Sequence, residues 1–184
     1  DILALSYKKL PNRLKACWLY LGAFPEDCDI EVQKLVHLWV AEGFLDPEPI
    51  ADMEQVAEDY LDDLIGRNLV SVGKRNFDGK VKTCRLHDFL RELCVREAEK
   101  EKFMYVTPRG AQGFRTGIRD MYRLSIHFDS ITDYSVPSFR HAISFMCFSL
   151  GYGFSPDLLL LELQLKLLRV LDIYFLHFDH FPIQ

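Results

Sequence analysis

Several familiar sources of function are missing from this chain. No Gly-x-x-x-x-Gly-Lys-Ser/Thr loop occurs in its 184 residues. It therefore lacks the phosphate cradle of the P-loop ATPases, and we expect it neither to hydrolyse ATP nor to bind ADP tightly by itself. No apolar run approaches the ~18 residues of a membrane span; the Leu158-Leu159-Leu160-Leu161 cluster is far too short. No Cys-x-x-Cys pair exists either. The cysteines (Cys17, Cys28, Cys84, Cys94 and Cys147) are odd in number and scattered, and no secretion-signal pattern opens the chain, so they read as reduced core thiols. Cys84 and His87 have ligand-like spacing, with Cys94 seven residues beyond His87. A zinc site wants four ligands, however, and no second pair appears, so no metal is expected.

What is present suits a folded protein. At 49% hydrophobic and 27% charged, the chain is globular and long enough for one or two domains. Its charge is uneven. Residues 1–106 carry 15 basic and 20 acidic side chains, and residues 107–184 carry seven of each. That shift coincides with the linker-like Thr107-Pro108-Arg109-Gly110. We therefore expect domains at 1–106 and 107–184. The chain starts at Asp1 within an apolar run and stops at Phe181-Pro182-Ile183-Gln184 in mid-pattern, as expected of a piece of something longer.

Hydrophobic spacing gives the elements of the first half. From Leu10 to Leu21, Leu14, Cys17, Trp18 and Leu21 form one stripe at i, i+3, i+4, i+7, with Pro11 in the first turn and Gly22 and Pro25 as stops. A second helix spans about Ile30 to Gly43, with Val32, Leu35, Val36, Trp39 and Val40 inward. A third begins at the cap Asp52, carries Met53, Val56, Ala57, Tyr60, Leu61, Leu64 and Ile65, and ends at Asn68. The period then drops to two. Leu69–Val72 and Val81–Leu86 flank Asn76-Phe77-Asp78-Gly79, and Asp-Gly between strand-like runs signals a hairpin. A last helix runs from Phe89 to Ala98, with Leu90, Leu93, Cys94 and Ala98 inward. Trp18, Trp39, Phe24 and Cys17 fall on apolar stripes or beside turns and are assigned to the core.

Leu86-His87-Asp88 stands where the second strand meets that last helix. Asp88 is a favoured N-cap, which would hold His87 just before a helix N-terminus. Free N–H groups and the helix dipole attract anions there, and an imidazole adds a donor for a phosphate oxygen. In the second half, Leu124-Ser125-Ile126, Ile143-Ser144-Phe145 and Leu171-Asp172-Ile173 recur at spacings of 19 and 28 residues. Leu165, Leu168, Leu171 and Ile173 fit an L-x-x-L-x-x-L-x-L pattern, although Leu176 occupies the place where a repeat would have Asn. The fold class expected is α+β: a winged-helix domain, helical with a β-hairpin, followed by the start of a leucine-rich-repeat solenoid.

Five ordered motifs in residues 1–106 resemble one family, the plant intracellular immune receptors of the nucleotide-binding (NB-ARC), leucine-rich-repeat type, and most of all their coiled-coil branch. Leu5-Ser6-Tyr7-Lys8-Lys9-Leu10-Pro11 resembles "LSYxxLP". Leu14 to Tyr20 with Phe24-Pro25-Glu26-Asp27 resembles "LKxCFLYxxxFPED", with Trp18 in the usual Phe place. Leu38-Trp39-Val40-Ala41-Glu42-Gly43-Phe44 matches "LWxAEGF". Leu64 to Val70 resembles "LxxRNLV", and Leu86-His87-Asp88 is similar to "MHD" with Leu for Met.

The resemblance implies a regulatory switch rather than an enzyme. The parent protein would be a slow ATPase-type switch whose ADP or ATP lies between this module and an upstream P-loop domain. His87 would touch the ADP β-phosphate, and Asp88 would cap the helix and orient the loop. ATP exchange would release the module and permit oligomerisation. Downstream repeats would restrain it, and pathogen effectors or host guardee proteins would be its partners. The setting implied is cytoplasmic, with membrane association or nuclear entry open to the parent.

Two other classes compete. A winged-helix nucleic-acid-binding module is the alternative. The third helix argues against it, because Asp52, Glu54, Glu58, Asp59, Asp62 and Asp63 face Arg67 alone and would repel phosphates. The basic hairpin (Lys74, Arg75, Lys80, Lys82, Arg85) reads more simply as a solvated edge. A hydrolase using Cys84 or Cys94 with His87 would need an orienting third group and an oxyanion site, and the sequence supplies neither.

Overall fold

A computed structural model describes residues 7–46, 52–107, 118, 121–127, 139–148 and 166–174. Its contacts divide the chain between Lys100 and Glu101. The first unit contains helix α1 (Asn12–Leu21), strand β1 (Ile30–Glu31), helices α2 (Val32–Glu42) and α3 (Met53–Gly66), strands β2 (Ser71–Val72) and β3 (Thr83–Arg85), and helix α4 (Asp88–Lys100). The second contains strands β4 (Tyr105–Val106), β5 (Arg123–His127), β6 (Ser144–Phe148) and β7 (Val170–Tyr174).

Helix α1 begins two residues after Leu10, because Pro11 takes the extended cap position (φ −52°, ψ 142°). Proline's fixed φ suits that place, and its missing N–H costs nothing there. The expected stripe of Leu14, Cys17, Trp18 and Leu21 is buried. Gly22 does more than stop the helix. A Cβ built on it would lie 2.9 Å from Cys94 Cβ on α4 and 3.3 Å from the Val95 backbone nitrogen. Its φ of −62° would suit alanine, so the conflict is steric and not conformational. We predict that Gly22→Ala lowers the unfolding free energy by ~1–3 kcal/mol through overpacking, read from the urea midpoint. An unchanged midpoint would mean that α1 and α4 can part freely at this point.

Ile30 and Glu31, expected in the second helix, form a strand instead. Ile30 pairs with Cys84 and Glu31 with Thr83. The open edge of β3 satisfies their backbone, and the Val32 N–H donates to the Lys82 carbonyl at 3.0 Å as the helix begins. Both later stops are capped as the sequence implies. At Gly43, bonds run from its own N–H to the Val40 carbonyl (3.0 Å) and from the Phe44 N–H to the Trp39 carbonyl (3.2 Å). That is the Schellman pattern, and it seats Phe44 edge-on against Tyr20, with centroids 5.3 Å apart. The end of α3 repeats the device with Asn68 at φ +56°; Asn68 donates to Ile65 and Leu69 to Leu64. Asp52 caps the start of α3 by accepting from the Glu54 N–H at 3.1 Å.

The wing is a three-stranded antiparallel sheet in the order β1-β3-β2. Its strands are shorter than Leu69–Val72 and Val81–Leu86, and an isolated bridge between Arg75 and Val81 extends the hairpin toward its tip. Asn76 accepts from the Gly79 N–H at 3.0 Å and donates to the Lys80 carbonyl at 2.8 Å. Gly79 stands at φ +85°, where a Cβ would be strained. Trp18, Trp39, Phe24 and Cys17 are all buried, as their spacing implies. Tyr7 stacks on Trp18 with centroids 5.2 Å apart.

The second unit is a parallel sheet in the sequential order β4-β5-β6-β7. Two sequence expectations need correction here. The division falls before Tyr105–Val106 and not after it, because β4 pairs with β5. The ladder also aligns Leu124 with Phe145 and Phe145 with Leu171, so the matched positions are 21 and 26 residues apart instead of 19 and 28. Burial explains the slip. Phe145 is fully enclosed in the cluster with Leu124, Ile126, Phe139 and Cys147, whereas Ile143 precedes the strand and gives its carbonyl to Arg169 and Val170. Leu168 and Ile173 pack against that cluster. Pro108-Arg109-Gly110, Leu165 and Leu176 lie outside the described residues.

Candidate functional site

The site is assembled by strand parity. Ser71 pairs with Arg85 across β2 and β3, so their side chains share one face of the wing. His87, two residues beyond Arg85, returns to that face. Leu86 turns the other way and is buried as an apolar anchor. The imidazole is exposed, with Nε2 2.8 Å from Ser71 Oγ.

The helix boundary differs by one residue from the sequence expectation. The His87 carbonyl accepts the Arg91 N–H at 2.9 Å, and α4 begins at Asp88. His87 thus holds the cap position by its own backbone. Asp88 is not the cap; it is the first helical residue, exposed, with its carboxylate at the positive end of the helix dipole. That carboxylate competes with any incoming anion for the helix terminus, so an anion at this place depends on the imidazole. Phe89 beside it is 57% exposed.

Two ties hold this mount. Arg91 Nε donates to the Phe24 carbonyl at 2.6 Å, and its Nη1 reaches Glu26 at 3.4 Å. Arg85 donates to Asp29 Oδ1 from Nε (3.0 Å) and Nη2 (2.7 Å), and Lys74 Nζ approaches Asp29 at 3.5 Å. The Arg85 hydrogen bonds hold the Asp29 carboxyl below the usual carboxylate range.

The thiols do not join His87. Cys84 and Cys94 are completely buried, and Cys84 sits on the opposite face of β3. Burial pushes the Cys84 thiol up to about 12 and raises Cys94 well above its ordinary value, which leaves both protonated and unreactive. The hydrolase reading therefore fails on burial as well as on its missing partners. The five cysteines are free. Among the described residues no group of three or more His, Cys, Asp or Glu side chains is placed to hold a metal ion, and no helix is long and apolar enough to cross a membrane. Ser71 and His87 alone do not make a hydrolytic triad, since no orienting group reaches Nδ1 among the described residues. The exposed Glu54, Asp59 and Asp62 keep α3 acidic toward solvent, which opposes nucleic-acid docking.

Ser71 escaped the sequence reading. The signal was there: seven residues before Asp78 stands Ser71, seven after stands Arg85, and a hairpin centred on Asp78 pairs them.

Three helices, a wing and a closing helix define a winged-helix domain. Residues 23–94 match the family model described as the disease resistance protein winged helix domain. A putative disease resistance RPP13-like protein 3 of Arabidopsis thaliana is 36% identical over 169 residues, spanning 92% of this chain and 20% of that protein. Two putative late blight resistance protein homologs of Solanum demissum are also similar. R1B-12 is 51% identical over 100 residues (54% of this chain, 7% of that protein), and R1B-14 is 36% identical over 179 residues (91% and 13%). The chain belongs to the plant disease resistance proteins and carries their winged-helix domain. It spans a fifth or less of the length of these relatives.

Proposed function

We propose that this chain is the regulatory switch region of a plant immune receptor, in which the head of α4 senses ADP against ATP and restrains defence signalling and cell death. The nucleotide belongs to an upstream P-loop domain of the parent, itself a slow ATPase-type switch. The single observation behind the reading is His87, exposed at the start of α4 above the buried Leu86 and within 2.8 Å of the Ser71 hydroxyl. An imidazole N–H is a donor suited to phosphate oxygens. His87 donates to the β-phosphate of ADP, and Asp88 keeps the first turn of α4 oriented. The in-register parallel strands supply the start of a leucine-rich-repeat array, with matched spacings of 21 and 26 residues inside the 20–29 range of such repeats. Oligomerisation on activation, and pathogen effectors or host guardee proteins as partners, belong to the same reading, as does action in the cytoplasm.

The test is made in the full-length receptor. A hydrogen bond to a charged phosphate contributes about 1.5–3 kcal/mol. His87→Ala is therefore expected to shift the resting balance away from the ADP form by roughly 10- to 100-fold, and to cause cell death in leaves without a pathogen. Silence from His87→Ala and Asp88→Ala, at wild-type protein levels, would refute the proposal.

A further inference from the structure

We infer that Ser71 is a positioning residue: its hydroxyl donates to His87 Nε2, which places the imidazole proton on Nδ1, free to be given to a phosphate oxygen. The inference rests on the phosphate reading of His87 and adds to it the residue that sets the donor.

A neutral imidazole has a single N–H; one ring nitrogen donates and the other accepts. The Nε2–Oγ distance of 2.8 Å commits Nε2 to the hydroxyl. If Nε2 carried the proton and Ser71 accepted it, Nδ1 would be a lone pair and would repel a phosphate. If Ser71 donates, Nδ1 carries the proton and becomes a donor. Only the second arrangement lets a neutral His87 hold an anion, and the serine hydroxyl can rotate to provide it. The strand ladder fixes the hydroxyl, because Ser71 is locked opposite Arg85 and the imidazole is backed by its own helix cap, the Arg91 N–H to His87 carbonyl bond. The backbone on both sides of the contact is therefore fixed, and the Ser71 hydroxyl is what orients the ring.

The first measurement uses the chain itself, labelled with ¹⁵N-histidine, in long-range ¹H–¹⁵N spectra recorded at alkaline pH. His87 is expected in the Nδ1–H form. Ser71→Ala should move the tautomer ratio toward Nε2–H by roughly 2- to 10-fold, and Ser71→Thr, which keeps the hydroxyl and suits a strand, should restore it. The second measurement follows release of a fluorescent ADP from the full-length receptor. Ser71→Ala should speed release several-fold, Ser71→Thr should not, and His87→Ala should match or exceed Ser71→Ala. A His87 tautomer that ignores Ser71→Ala in a folded chain overturns the inference. So does fast release from His87→Ala beside wild-type release from Ser71→Ala. A tautomer that responds to Ser71, with wild-type release from His87→Ala, upholds the positioning role and overturns the phosphate reading instead.

Discussion

Trp18→Ala is expected to cost about 3–5 kcal/mol, the range for emptying a large buried aromatic site. Trp18 has no exposed surface, and Tyr7 stacks on its ring. Its Nε1–H reaches the Leu69 carbonyl at 3.4 Å, a long bond that contributes little beside the packing. Its own carbonyl accepts from Cys94 Sγ at 3.4 Å, so the residue ties α1 to α4 and to the approach to β2. With a whole domain worth about 5–15 kcal/mol, this loss brings the first unit close to its unfolding threshold. The urea midpoint should fall by roughly 1.5–3 M. Trp18→Phe separates the two contributions. It keeps a six-membered aromatic ring but gives up the five-membered part of the indole together with the long hydrogen bond, so it should cost clearly less than Trp18→Ala. A Trp18→Ala protein within about 1 kcal/mol of wild type would mean that the ring fills no essential space, and the α1–α4 core described above would be wrong.

The helices were legible because their stripes and stops are local chemistry. Leu14, Cys17, Trp18 and Leu21 announce one face, Gly43 and Asn68 announce left-handed turns, and Asp52 announces a cap. None of these depends on the rest of the fold. Strand β1 was not legible, since Ile30 and Glu31 become a strand only because β3 offers them an edge. The same holds for the parallel ladder: a leucine-rich pattern gave the strands but not their register, which burial of Phe145 decides. The boundary moved for a like reason. Charge and a Pro-Gly linker mark where composition changes, while β4 pairing marks where the fold changes.

At the site, the sequence marked His87 but misread its neighbour. Asp88 follows cap preference, yet a preference of about 1 kcal/mol yields to the chain path out of β3. That path hands the cap to His87, whose carbonyl meets the Arg91 N–H. Ser71 stayed hidden because it is remote in sequence and unremarkable in composition; only the hairpin register brings it to the imidazole.

Arg91→Ala is expected to remove about 2–3 kcal/mol and to loosen the mount of His87. The guanidinium is only 14% exposed. Its short bond to the Phe24 carbonyl satisfies an acceptor in a residue that is itself buried, and losing a charged donor to such a group costs about 1.5–3 kcal/mol. The Glu26 contact adds less, since that carboxylate is 39% exposed at 3.4 Å and solvent screens it. Arg91→Lys should recover only part of the loss, because a single ammonium cannot span both acceptors as the planar fork does. Hydrogen exchange locates the effect. Amides of the 24–28 turn and of the first turn of α4 should exchange faster in Arg91→Ala, while those in the middle of α3 follow global stability alone. Uniform acceleration over the whole first unit would instead make Arg91 a general core contributor, and wild-type exchange at both places would show that the head of α4 stands without this tie.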